Sequence, residues 1–311
     1  MIISASRRTD IPAYYSDWFY NRIREGYVCV RNPMNFHQVS RVALSPNVVD
    51  GIVFWTKNPL PLLSRLEELR AYPYYFQFTL TPYGKDIEPN VPSKNDVILP
   101  SFQELSRKIG PERVIWRYDP ILFTNRYTMD YHLTFFSQLA QRLEGYTLKC
   151  VISFVDLYHN TQTNMNGLGF APPTEKEIFQ LAERFADIAH KHHLVLETCA
   201  EKINLEQFGI AHGHCIDHSL LEQIAGCRLA LDKDKYQRAE CGCMASIDIG
   251  MYDTCRHGCK YCYATHSFKT VLHNTSTHIP SSPLLCGQIT PEDVVKERVM
   301  KSCKEEQLRF Y

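Results

Sequence analysis

Seven short apolar, mostly β-branched runs, each closing on a polar cluster, constrain the fold of this chain more than any other feature. Met1–Ala5 runs into SRRTD, Gly51–Trp55 into TKNP, Tyr74–Phe78 into TLTP and Arg113–Trp116 into RYDP. Cys150–Val155 runs into DLYHN, Leu194–Leu196 into ETCAE and Ser246–Gly250 into MYDTC. Runs of this length, apolar on consecutive residues, are what parallel strands buried on both faces look like. Helical patterns separate most of them. Pro12–Glu25 follows the capping residue Asp10, and Pro59–Arg70 follows Asn58. Ser101–Lys108 stops at Gly110-Pro111, and Met129–Leu143 ends near Gly145. Thr174–His192 opens with TEKE, and Asp217–Ala225 ends at Gly226. Pro291–Ser302 follows Thr290 and is expected to be a last helix. Tyr27–Leu44 reads as an inserted hairpin around the NPMN turn.

Repeated strand–helix alternation in one chain predicts an α/β fold, a (β/α) TIM-type barrel, complete or partial, over residues 1–266. Residues 267–311 read as a C-terminal extension with one helix, because HNTSTHIPSSP is rich in turn formers. In such barrels the polar clusters at strand C-termini form the active face.

The chain has 34 Lys and Arg against 34 Asp and Glu, so no strong pull toward nucleic acid or anionic membrane is expected. No apolar run approaches a membrane span. Twelve cysteines behind an N-terminus that lacks the layout of an export signal predict a reducing, cytoplasmic setting, where thiols serve metals or sit buried.

The sharpest chemical signal is CRHGCKYC, a C-x3-C-x2-C array of Cys255, Cys259 and Cys262. Three thiolates can hold three irons of a [4Fe–4S] cluster and leave the fourth open to a small molecule. Zinc shared with Cys241 and Cys243, or inert buried thiols, are the competing readings. Cys199, Cys215, Cys241 and Cys243 are candidates for a second [4Fe–4S] cluster if the fold brings them together. His212 and His214 could join them as ligands.

The array resembles the cluster motif of radical S-adenosylmethionine (SAM) enzymes, and the surrounding sequence resembles DUF1848, a bacterial family of unknown function. Further segments are similar to the branch containing spore photoproduct lyase and its DNA-repair-photolyase-like relatives: TDIPAYY at Thr9–Tyr15, TKNP at Thr56–Pro59, TLTP at Thr79–Pro82 and EPNVPS at Glu88–Ser93. In those relatives the cluster loop follows the first strand; here it follows the last. The resemblance therefore implies a circularly permuted barrel.

It also implies a function: reductive cleavage of SAM at the cluster, giving a 5′-deoxyadenosyl radical that abstracts hydrogen from an unknown substrate. An electron donor such as flavodoxin or ferredoxin is the implied partner. Nucleic acid is admitted as substrate by the relatives and not supported by the charge. Arg7, Lys57 and Arg117 are candidates for the SAM carboxylate, and Asp10, Thr79, Thr81 and Glu88 for its amine and ribose. Each of these also reads as a rim charge or structural ion pair. Asp119 and Asp156 read as contacts or helix caps. A non-catalytic [4Fe–4S] redox or sensor protein, and a zinc-stabilised binding module, are the alternative functions.

Overall fold

The computed structural model describes residues 1–156, 158–238 and 240–305; Leu157 of the DLYHN cluster and residues 306–311 of the extension lie outside the described residues. Its strands are β1 (Ile2–Ala5), β2 (Tyr27–Asn32), β3 (Asn35–Ala43), β4 (Gly51–Thr56), β5 (Tyr74–Thr79), β6 (Val114–Ile121), β7 (Lys149–Phe154), β8 (Val195–Cys199), β9 (Ala211–Gly213), β10 (Ser246–Asp248) and β11 (Val294–Glu297). Its helices are α1 (Ile11–Tyr14), α2 (Ser16–Glu25), α3 (Leu60–Leu63), α4 (Leu99–Ile109), α5 (Met129–Leu143), α6 (His159–Asn164), α7 (Glu175–Lys191), α8 (His218–Ala225) and α9 (Phe268–Ser276).

Eight strands form one parallel sheet in the order β10-β1-β4-β5-β6-β7-β8-β9. The last of them in sequence lies beside the first, with Ile2 opposite Ser246 and Ser4 opposite Asp248. Alternate side chains of a strand point to opposite faces, and here both faces are covered. Ile3, Phe54, Phe76, Trp116 and Ile152 pack into one core with the apolar sides of α2, α4, α5 and α7. Within it Trp116, Phe136 and Phe185 stack in series, with ring centroids 5.0 and 3.9 Å apart. The intervening residues Ile2, Val53, Tyr75, Ile115 and Val151 pack into a second core with Ile216, Leu221 and Leu229. This is a mixed α/β fold, a large parallel sheet with helices around it.

The second core changes the reading of Asp217–Ala225. That segment is helical, with Asp217 accepting from Leu220 N at 3.1 Å as N-cap. It covers the sheet face opposite to α2, α4, α5 and α7. At Gly51, the first residue of β4, a Cβ would stand 2.5 Å from Leu221 Cδ2, so this glycine lets α8 lie directly on the sheet. The chain from Cys215 to Cys243 thus packs on the sheet's second face.

Local signals decide most helix limits. Thr174 and Glu177 form the reciprocal cap at the start of α7, with Glu177 Oε2 accepting from Thr174 N at 2.8 Å. Gly26 ends α2 in the left-handed region at φ 73°. Three expectations need correction. The helix over Pro12–Glu25 is broken at Tyr15, whose hydroxyl donates to Thr254 O at 2.6 Å. Pro59–Arg70 forms a short helix and a separate 3-10 turn over Leu66–Leu69. Pro291–Ser302 contains a strand, not a helix: the β-branched pair Val294-Val295 extends and pairs parallel with β3, giving the small sheet β11-β3-β2. The helix of the extension is α9, upstream of that segment. The hairpin β2–β3 stands as expected.

Candidate functional site

The loop carrying Cys255, Cys259 and Cys262 follows β10, and β10 pairs with β1. The loop therefore crosses the C-terminal ends of β1, β4 and β5, tied down by backbone bonds from Asn90 N to His257 O (3.2 Å) and Lys260 N to Ile87 O (2.9 Å). Cys259 is buried, and Cys255 and Cys262 are partly so. Cys262 acts electrostatically on Cys255 and Cys259, and Cys259 on Cys255, yet no sulfur–sulfur hydrogen bond joins them among the described residues. Burial pushes the thiols of Cys255 and Cys262 up, and that of Cys259 up to about 12. Bare, they stay protonated; a bound metal centre is what deprotonates such thiols. Soft, dry, spaced thiolates are the donor set of an iron–sulfur cluster. Among the described residues no three His, Cys, Asp or Glu side chains are arranged to hold a metal ion as they stand.

Two buried polar networks hold this loop. In the first, Asp10 joins three segments. Its Oδ1 accepts from Ala13 N, capping α1, and from Thr56 Oγ1 at 2.8 Å. Its Oδ2 accepts from Lys57 N and from His257 Nε2, both at 2.7 Å. With Nε2 donating, Nδ1 of a neutral imidazole is left to accept from Tyr14 Oη at 2.9 Å. His257 lies between Cys255 and Cys259, so the N-terminal segment grips the loop at its centre.

In the second network Glu88, whose side chain has no exposed surface, accepts from Lys57 Nζ at 2.7 Å and Thr81 Oγ1 at 2.8 Å. Lys94 Nζ and Tyr261 Oη, the latter from the cysteine loop, also bond to it. Burial alone would raise the Glu88 pKa, but the two lysines hold it well below the usual carboxylate range. Burial disfavours charge on Lys57, and Glu88 outweighs it, so its pKa is raised. Burial and the neighbouring Lys57 leave Lys94 below its ordinary value. Two ammonium groups against one carboxylate leave a surplus of positive charge beside Cys259, on which both lysines act.

The other four cysteines also meet. Cys199 ends β8, Cys215 follows β9, and Cys241 and Cys243 lie ahead of β10. The Cys199 and Cys215 sulfurs are 2.9 Å apart. Cys243 acts on Cys215 and on Cys241. Its action brings the Cys241 thiol down to about 7. Arg117 reaches the Cys215 sulfur at 2.9 Å, bonds Gln77 and Asp119, and acts on Cys199. Arg7 lies over the Trp55 ring at 5.1 Å and acts electrostatically on Cys243 and Cys215. Its Nη2 is buried without a hydrogen-bond partner.

The residues singled out in sequence thus divide between two centres. Asp10, Lys57, Thr81 and Glu88 gather at the cysteine loop, whereas Arg117 and the Arg7 side chain turn to the four thiols. The Arg7 backbone still touches the loop, since its carbonyl accepts from Tyr263 Oη at 2.9 Å. Thr79 ends β5 and makes no side-chain hydrogen bond among the described residues. Asp119 and Asp156 cap no helix; they pair with Arg117 and Arg238. His212 bonds Thr198, and His214 lies against Gly242. His257, Tyr14 and Lys94 were not singled out in sequence. His257 is visible only as a polar residue inside the cysteine array, and nothing in the local pattern around Lys94 marks it.

No helix among the described residues is long and apolar enough to cross a membrane. No curated protein matches the chain. The family model described as a domain of unknown function, DUF1848, matches residues 2–264, and the chain belongs to that family.

Proposed function

We propose that this DUF1848 member is a radical SAM-type enzyme, in which Cys255, Cys259 and Cys262 would hold a [4Fe–4S] cluster with an open iron for SAM. When bound, such a cluster supplies one electron for cleaving the SAM sulfonium. The observation that carries the reading is the pairing of β10 with β1. It sets the loop among the ends of β1, β4 and β5, where Asp10, Lys57, Thr81 and Glu88 already stand. The strand order fits a (β/α) barrel wall, complete or partial, begun one strand late, with the first strand of the usual radical SAM order moved to the end of the chain.

This chain's own residues have clear tasks in that reading. Asp10 and His257 fix the middle of the loop. Tyr261 shields the site from water and ties the loop to Glu88. Lys57 and Lys94 supply positive charge beside Cys259, suited to a thiolate-bound centre or a SAM carboxylate. The Thr79 hydroxyl is open to the ribose. Substrate would be taken at the same strand ends, and an external donor such as flavodoxin or ferredoxin would supply the electron.

The test is electron paramagnetic resonance of anaerobically purified, dithionite-reduced protein, with and without SAM, beside iron and sulfide analysis. A [4Fe–4S]⁺ signal that shifts with SAM and disappears in Cys259→Ser supports the enzyme. A signal indifferent to SAM points to a redox or sensor protein, and protein with no iron bound at the loop sinks both.

A further inference from the structure

We propose that Cys199, Cys215, Cys241 and Cys243 hold a second metal centre, a single zinc-class ion closed by four thiolates, which fastens the segment between β9 and β10 to the sheet. Three separate parts of the chain bring these cysteines together: the Cys199 and Cys215 sulfurs touch at 2.9 Å, and Cys243 acts on both Cys215 and Cys241. That proximity is not a consequence of sequence spacing, since Cys199 and Cys243 lie far apart along the chain.

The short Cys199–Cys215 contact favours a single ion over a cubane. Four sulfurs around one zinc stand about 3.8 Å apart, the edge of a tetrahedron with metal–sulfur bonds of about 2.3 Å. In a cubane each thiolate binds a different iron and stands farther from its neighbours. The Cys199–Cys215 pair at 2.9 Å is already closer than a tetrahedral edge. To accept an ion it would open by about 0.9 Å and the Cys241 and Cys243 sulfurs would close in on it, since no three of these groups are placed to hold an ion as they stand. The three loop thiols show no such contacts, which sets the two centres apart.

Charge and polarity agree. A zinc ion with four thiolates carries roughly two net negative charges, and two guanidiniums face the group. Arg117 bonds the Cys215 sulfur at 2.9 Å and acts on Cys199, and Arg7, whose Nη2 is buried without a partner, acts electrostatically on Cys243 and Cys215. A buried donor without an acceptor is costly, and a metal thiolate would serve as one. The surroundings are dry: Cys215, Cys241 and Cys243 belong to the second core with Ile2, Val53 and Leu221. At Gly242, between Cys241 and Cys243, a Cβ would overlap the His214 ring as that exposed side chain now stands. A closed four-sulfur site has no open position, so its role is structural.

The inference does not depend on the proposed activity, and the two sets of cysteines can be altered separately. Zinc and iron would be counted in full-length protein, and zinc K-edge absorption recorded, for the wild type, for Cys241→Ser with Cys243→Ser, and for Cys255→Ser with Cys259→Ser and Cys262→Ser. Zinc with a shell of four sulfurs at about 2.3 Å is expected in the wild type. It should persist in the loop variant and fall by at least about tenfold in the Cys241/Cys243 variant. Should that variant fail to fold, Co²⁺ titrated into metal-stripped wild type gives the independent reading, with the intense thiolate charge-transfer bands of a tetrathiolate site expected. Zinc bound through nitrogen or oxygen, no such Co²⁺ bands, or iron in place of zinc at these four thiols would each overturn the proposal.

Discussion

At the scale of single residues, His257 is the most informative position outside the cysteines. It bonds Asp10 on one ring nitrogen and Tyr14 on the other, from the middle of the cysteine loop. Partners of this kind orient a metal-binding loop without touching the metal, and their loss commonly weakens binding 10- to 100-fold, in round terms about one to two orders of magnitude. His257→Ala is therefore expected to retain fewer irons after anaerobic reconstitution, read as lost visible absorbance per chain, with the far-ultraviolet spectrum unchanged. His257→Gln, able to donate to Asp10, should recover part of the loss. Equal iron retention in all three proteins would remove the positioning role. The motif containing His257 is plain in sequence, whereas its partner Asp10 reads there as a helix cap and a candidate contact for the SAM amine and ribose, not as a tie to the cysteine loop. The carboxylate does cap α1, and the same two oxygens also bind Thr56, Lys57 and His257. Sequence spacing cannot reveal that one side chain satisfies four donors.

At the scale of elements, the join between β6 and α5 carries a pH dependence. His132 is fully buried in α5. Its Nε2 donates to Leu122 O and its Nδ1 accepts from Tyr118 Oη, both at 2.9 Å, so the neutral ring is the one that fits. Burial brings its pKa down to about 4. A folded pKa below the unfolded value of about 6.5 gives stability that is present above that value and lost as pH falls through it toward 4. By pH 5 the loss from this group is about 2 kcal/mol. Urea unfolding of wild type and His132→Gln from pH 7 to 5 should show the gap between them narrowing by about that amount; a constant gap would show that His132 does not titrate this way. Elements also show where local pattern fails. The strand over Val294–Glu297 was expected to be helical because Thr290-Pro291 imitates a helix start. The unpaired edge of β3 decided otherwise, and that edge is remote in sequence. Strand β9 has three residues, too few for any periodicity to register.

At the scale of the whole molecule, the extension after Ser267 is stitched to the rest. Trp18 Nε1 donates to Ser282 O, and Arg22 to Ser281 O. Farther on, the buried Asp50 carboxylate accepts from Ser302 Oγ at 2.6 Å and Cys303 N at 2.7 Å. Asp50→Ala is expected to free that end, so limited trypsin treatment should cut at Arg298 or Lys301 several-fold faster, located by mass spectrometry, with loop iron unchanged. An unchanged cleavage pattern would show that the anchor lies elsewhere.

The strand–helix alternation, the hairpin, most helix caps and the cysteine array are legible in the sequence, because each is written in residues a few positions apart. Apolar runs, capping residues and thiol spacing act over one turn or one strand. The tertiary structure alone decided that β10 lies beside β1, that the segment around α8 covers the second face of the sheet, and that the charged candidates divide between two groups of thiols. Those outcomes depend on strand order and on which face each side chain takes. They arise from contacts between residues distant in the chain, where burying both faces of the sheet outweighs any local preference.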